Sequence, residues 1–506
     1  MYQTKDRRAF LKDLGTAGLI MGGAGLPIAG AMTTPLRTEK PLVGIQISPL
    51  NFLDEGMEAC LGRLETAGIN ALFCYSQTYH LSYNKPVSAF ASRPVQPRSF
   101  AGRGLRHQWI QTHPEFYKDT LLSHEKPNPA HEYHNRDIFT ELLQPARQRG
   151  MKVYARILEA SANRRDLIPN YEKVLTVDIN GHTGRGPCWN HPDYRAWISG
   201  TVKDLVTHYD IAGLQYGAER TGPLSYLLYR GLVPTCFCEH CTRRNKAKNI
   251  DAGRAREGYQ QLYQFIQKVE ADVLPADGVL ASVYGYLQRY PEILSWNYQW
   301  FQADNEIHQE IYDVAKAIKP DFEIGRHVDH QRSSWDIWYR AAVPYSDMAG
   351  SADFVKPIVY HDILGPRLRN WVIKEMHRHA WRDKTEAEIL QEFYALFGYD
   401  SAQMPALEEL NSRGLGAAYV QKETERCVKG LNGGAKVYTG LGVDVPWHLP
   451  EGGMAPFPSP PDVLTAAIHG AFQAGADGIL ISREYEEIRL ESLKTIGQAM
   501  AAIHRP

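Results

Sequence analysis

The chain has 506 residues, with 56 Lys and Arg against 57 Asp and Glu and a formal net charge of −1. That balance excludes the basic excess of a nucleic-acid binder, and 43% hydrophobic with 22% charged residues is neither a disordered nor a fibrous composition. Beyond the N-terminus no apolar run reaches the length of a membrane-spanning helix.

The first element in the chain reads as an address. Asp6-Arg7-Arg8-Ala9-Phe10-Leu11-Lys12 is followed by an apolar, glycine-rich stretch over 14–28 and then by Ala29-Gly30-Ala31, a small-x-small cleavage pattern. The segment resembles a bacterial twin-arginine export signal, whose consensus is two arginines, any residue, then Phe-Leu-Lys. The stretch is too short and too glycine-rich for a transmembrane helix. The resemblance implies a signal peptide over 1–31, a mature chain from near Met32 and a periplasmic or secreted product. An amphipathic N-terminal helix is the alternative.

Short β-branched or aromatic runs then alternate with longer amphipathic ones. Strands are predicted at 43–48, 71–75, 152–158, 211–216, 322–328, 354–360, 435–439 and 478–482. Helices are predicted at 55–67, 136–148, 194–208, 257–273, 298–318, 385–397, 417–429 and 461–474. Eight such strands predict an α/β fold, a (β/α)8 TIM barrel, and a barrel of this kind absorbs the length as one decorated domain over 41–506. A doubly wound open sheet is the alternative, but no Gly-x-Gly-x-x-Gly follows the first strand to support a dinucleotide fold.

Chemistry in such barrels sits in the loops after the strands, and three of those loops are long: about 76–135, 220–321 and 361–385. The first holds His80, His107, His113, His124, His131 and His134. Within the second, Cys236-Phe237-Cys238-Glu239-His240-Cys241 places three soft ligands close enough to meet one tetrahedral metal. Cys188 is the first choice of fourth ligand, with His240 and Cys74 as rivals. A disulfide with one odd thiol, or unliganded core cysteines, remain open beside structural zinc.

Glu219-Arg220 follows the fourth strand, Gly213-Leu214-Gln215-Tyr216-Gly217, and the cysteine cluster comes shortly after it. That order resembles the glycoside hydrolases of family 42 and their less characterised relatives. In that family a glutamate ending the fourth strand is the general acid/base, and a Cys-x-Cys-x-x-Cys loop with one cysteine some tens of residues upstream binds zinc. The resemblance implies Glu219 as general acid/base and Cys188, Cys236, Cys238 and Cys241 as ligands of a structural zinc. Asn190-His191-Pro192-Asp193-Tyr194-Arg195 is also similar to a helix entry in uncharacterised glycosyl hydrolases of this kind. Two positions depart from the family. Ala218 stands where Asn precedes the acid/base, and the seventh strand, running into Thr439-Gly440-Leu441-Gly442-Val443-Asp444, has no nucleophilic Glu.

Glycoside cleavage needs one carboxylic acid for the leaving oxygen and a second carboxylate for the anomeric carbon or a water. With Glu219 as the first, the second is ranked Asp444, then Asp329, then Asp362. Arg220, His327, Asp329, Lys356, Tyr360, His361 and Arg483 stand at or just past strand ends and are expected to bind substrate. Trp447 is expected to stack on a sugar face, whereas Trp296 and Trp300, four apart, are expected in the core. The expected partner is a carbohydrate, with no nucleic acid and no membrane span after signal removal; homo-oligomerisation is left open. Two rival functions stand beside this one. One is a carbohydrate-binding barrel without catalysis; the other is a metal-dependent sugar isomerase or hydrolase using His327, Asp329, His330, His361 and Asp362.

Overall fold

Eight parallel strands close a (β/α)8 barrel: β1 (Leu42–Ile47), β2 (Ala71–Tyr75), β3 (Lys152–Glu159), β4 (Gly213–Ala218), β5 (Glu323–Val328), β6 (Phe354–Pro357), β7 (Lys436–Gly442) and β8 (Gly478–Ser482). Each pairs with its sequence neighbours, and β8 returns to β1 with Leu42 opposite Gly478 and Ile45 opposite Ile481. The computed structural model describes residues 40–78, 107–124, 126–159, 168–448, 454–455 and 457–503. The export segment over 1–31 and His80 lie outside the described residues.

The strand limits fall near the predicted ones. β2 and β8 coincide with the predicted runs. β6 is regular only to Pro357, short of the predicted limit, although Ile358 N–H still reaches Val328 O at 3.0 Å and Val359 N–H reaches Gly440 O at 2.8 Å. β4 begins two residues late, after the bend at Ile211–Ala212, and carries its ladder on to Ala218, opposite Glu159.

Outside the barrel, Pro192–His208 starts with proline at its first turn, where a missing N–H costs nothing, and a His191 cap that accepts from Asp193 N–H at 3.3 Å. The long connection after β4 is helical, comprising Pro223–Arg230, Glu239–Ala247, Ala252–Glu270, Val279–Arg289 and the 27-residue Glu292–Ile318. Trp296 and Trp300 of that last helix are buried, as their spacing predicts. Between β5 and β6 only short helices occur, and Leu490–Ile503 follows β8; the periodicity reading included neither.

The barrel interior is layered. At its N-terminal end Leu42, Ala71, Phe73, Tyr154, Phe354, Tyr438 and Leu480 form an apolar plug, with the Phe73 and Tyr154 rings stacked at 4.6 Å. Above it the interior turns polar, and that change of chemistry locates the site.

Candidate active site and cysteine cluster

The polar layer is built from strand side chains that point inward above the plug. Lys356 of β6 is fully buried and donates from Nζ to Gln46 Oε1 of β1 (2.5 Å) and Ser482 Oγ of β8 (2.8 Å). Its stem crosses the barrel where β7 has Gly440, because a Cβ there would lie 2.4 Å from Lys356 Cε. Arg156 of β3 lies over the Tyr75 ring at 4.3 Å and donates from Nε to Gln215 Oε1 at 3.1 Å. Burial and the nearby Arg156 hold the Lys356 ammonium well below the ordinary lysine range.

Glu219 stands just past β4, with its side chain 46% exposed and its Oε1 3.5 Å from His327 Nε2. His327 approaches because β4 has Gly217, where a Cβ would lie 2.6 Å from the His327 Cβ. Burial, assisted by Lys356, pushes the His327 pKa down to about 3, so the imidazole facing Glu219 is neutral. Just past β5, Asp329 is 5% exposed, and burial, reinforced by the Glu219 charge, pushes its carboxyl up to about 7 despite Arg332. One Asp329 oxygen accepts from Arg332 N–H at 2.9 Å; the other lies 3.5 Å from Arg332 Nε. Glu484, just past β8, accepts from Tyr75 OH at 2.5 Å, and burial pushes its carboxyl well above the usual range.

Asp444 and Asp362 sit differently. Asp444 Oδ1 accepts from Ser459 N–H (2.9 Å) and Arg489 Nε (3.1 Å), and its Oδ2 accepts from Arg489 N–H (2.8 Å). Asp362 accepts from its neighbour Ile363 N–H at 2.7 Å and from Ser459 Oγ. Ser459 thus ties the two carboxylates into a bracket between the loops after β6 and β7. Every Asp444 oxygen is engaged by protein donors.

Arg220 also turns inward. It is buried, pairs with Glu159 at the end of β3, donates to Pro187 O and lies over Trp189 at 4.5 Å. Trp189 and Tyr216 donate to the same Glu159 Oε2 at 3.1 and 2.7 Å. This strut fixes the backbone beside Glu219.

On the β6 side, Tyr360 is buried and faces Arg367, whose guanidinium also lies over Trp371 at 4.9 Å. Trp371 and Trp447 are tilted together with centroids 5.6 Å apart, and Trp447 is half-buried at the edge of the cluster. Arg483 is a quarter exposed and pairs with Glu487 at 2.5 Å. His361 is fully buried, and neither of its ring nitrogens has a hydrogen-bond partner among the described residues.

The four cysteines meet. The sulfurs of Cys188, Cys236, Cys238 and Cys241 all lie within 4.8 Å of one another, whereas Cys74 lies in β2 and His240 packs on His191 at 4.2 Å. The Cys188 sulfur is 3.4 Å from that of Cys241 and 3.5 Å from that of Cys238, far beyond an S–S bond of about 2.05 Å. Four thiolates about 2.3 Å from a tetrahedral zinc would be roughly 3.8 Å apart, so the donor set is compatible with a zinc site. Val177, Asn190 and Cys238 N–H groups and the Asn190 amide donate to these sulfurs at 3.3–3.5 Å, as thiolate sites require. Because Cys188 adjoins Trp189, the cluster anchors the strut that ends at Arg220 and Glu219.

No protein-family model matches the chain, and no curated protein matches its sequence. Solved structures do match the fold. A β-galactosidase from the psychrophilic Marinomonas ef1 superposes with TM-score 0.50 and 10% identity over 91% of this chain and 59% of its own. A polyextremophilic β-galactosidase from the haloarchaeon Halorubrum lacusprofundi gives 0.49 and 11%, over 91% of this chain and 57% of its own. The PgaB glycoside hydrolase domain from Bordetella bronchiseptica gives 0.43 and 10%, over 88% and 94%. The chain therefore spans less than two thirds of the two β-galactosidases. At these identities the likeness defines the fold alone, a (β/α)8 TIM barrel.

Gln46, Arg156, Glu159, Arg367 and Trp371 were not singled out by sequence, whereas Glu484 was marked with Arg483 as a charged end of the eighth strand. The first three had a usable signal, since a polar residue inside an apolar strand run, as in Val43-Gly44-Ile45-Gln46-Ile47, must find a buried partner.

Proposed function

We propose that the chain is an exported glycoside hydrolase with a two-carboxylate acid/base mechanism. The observation that carries this reading is the meeting of Glu219 and Asp329 past adjacent strands, above a polar floor, with Glu219 close enough for its charge to act on Arg367 of the Trp371 cluster. Asp329, whose proton is retained up to about pH 7, takes the proton-donor role that the family resemblance implies for Glu219 and protonates the leaving glycosidic oxygen. Glu219, half-exposed and steadied by neutral His327, acts on the anomeric carbon or on the water that attacks it. Among the described residues, His327, Asp329, His330, His361 and Asp362 do not gather as a metal-ligand group, which supports hydrolysis over the metal-dependent alternative.

The cysteine cluster holds one zinc under this reading. Four thiolates close the coordination sphere, so the metal would stiffen the loops after β3 and β4 and offer no open position to substrate. Export rests on the Arg7-Arg8 motif. The full-length chain should appear in the periplasmic or secreted fraction, and Arg7→Lys with Arg8→Lys should retain it in the cytoplasm; unchanged fractionation would refute export by this route.

The Asp329 carboxyl sets the pH dependence. Its pKa lies above the ordinary aspartate value, so the catalytically required proton is present at low pH and lost as pH rises through about 7. Turnover should fall on that alkaline side, and Asp329→Asn should remove most of it. A profile flat from pH 6 to 9 with an active Asp329→Asn enzyme would exclude Asp329 as proton donor.

A further inference from the structure

Arg367 is at least nine-tenths buried, at 7% exposure, yet no carboxylate lies within ion-pair distance of it among the described residues. Among the described residues its one hydrogen bond to another side chain runs from Nη1 to His330 Nδ1 at 3.2 Å, and its Nε has no hydrogen-bond partner there. Because a guanidinium nitrogen only donates, His330 Nδ1 accepts and the His330 proton sits on Nε2, a second buried donor without a partner among the described residues. Burial of an unpaired guanidinium is expensive, and proteins tolerate it where an anion completes the site. Arg483, itself paired with Glu487, adds positive potential nearby, which Glu219 and Asp362 offset only from beyond ion-pair distance. The Tyr360 and Trp371 rings lie against the Arg367 guanidinium, and Trp371 continues to half-buried Trp447.

Resting on the hydrolase reading above, we propose that Arg367, with His330 and Arg483, forms a subsite for a negatively charged sugar residue, a uronate carboxylate or a sulfate ester, whose ring lies on the Trp371–Trp447 pair. The substrate is then an acidic glycan, unlike the neutral galactosides named for the enzymes of similar fold. Burial and the facing charge of Arg483 lower the Arg367 pKa to about 10, a strain that a bound anion relieves. Planar, two-point donation by a guanidinium suits either anion.

The test is titration calorimetry on the Glu219→Gln protein, which leaves bound sugar intact. The probes are oligoglucuronates and oligogalacturonates beside their carboxyl-reduced counterparts, and sulfated oligosaccharides beside desulfated ones. The acidic member of at least one pair should bind about tenfold tighter or more, and adding Arg367→Gln should bring that ratio to within about threefold. Preference among the uronates assigns the carboxylate, and preference among the sulfated sugars assigns the ester. If Arg367→Gln fails to fold, Arg483→Gln takes its place and should lower the same ratio at least threefold. Equal binding within every pair, or a ratio unchanged in the folded variant, overturns the subsite. The two readings fail separately. Wild-type hydrolysis of neutral glycosides without acidic preference removes the subsite alone, whereas acidic preference without sugar release by wild-type protein removes the hydrolase alone.

Discussion

Glu219→Gln should lower turnover by roughly 10²–10⁴-fold while leaving sugar affinity within a few-fold of wild type. The amide is isosteric and keeps the 3.5 Å approach to His327, but it can neither accept a proton nor stabilise a cationic anomeric centre. Asp444→Asn supplies the contrast. The Asp444 carboxylate is consumed by Ser459 and Arg489, so its loss should cost stability, about 1.5–3 kcal/mol for charged hydrogen bonds, with turnover within about threefold. Steady-state kinetics and thermal melts on the two variants separate the roles. Should Asp444→Asn abolish turnover in a stable protein while Glu219→Gln remains active, the assignment would be reversed.

Zinc removal should have the second largest effect. Metal analysis is expected to find one zinc per chain that survives dialysis, and Cys238→Ser should lose it. Because a structural zinc is bound only by the folded loops, its binding energy is folding energy, and the melting temperature should fall by on the order of 5 °C or more. The damage should spread along Cys188, Trp189, Glu159 and Arg220, since Trp189 donates to Glu159 and Glu159 pairs with Arg220. Full zinc content and an unchanged melting temperature in Cys238→Ser would show that the cluster is not a metal site.

The barrel was legible in the sequence because buried parallel strands are short apolar runs bounded by turns, and the intervening helices carry a 3.6-residue period. The reading slipped in two places. β6 ends early at Pro357, and Leu490–Ile503 was passed over although Leu490, Leu493, Ile496 and Met500 recur at helical spacing. The cysteine set was legible because thiols that share a metal cluster in sequence, and Cys188 joins them through the hairpin Leu175–Val177/Thr183–Pro187. Side-chain direction was not legible. Arg220 and His327 both sit at strand ends, yet one turns inward to Glu159 and the other faces Glu219. Asp444 was ranked ahead of Asp329 on its place after the seventh strand. The donors that occupy its oxygens come from Ser459 and Arg489, whose approach only the folded chain reveals. Arg367 escaped for the same reason, because a guanidinium without a carboxylate partner is a property of three-dimensional surroundings.

The most direct measurement is reducing-sugar release from a panel of neutral and acidic oligosaccharides by the mature protein, with Glu219→Gln and Asp329→Asn as controls and without added divalent metal. The wild type should release sugar from at least one substrate, and both variants should lose that release while remaining folded. No release by the wild type, with sugar binding intact, would make this a carbohydrate-binding barrel, and release that depends on added metal would contradict the two-carboxylate mechanism.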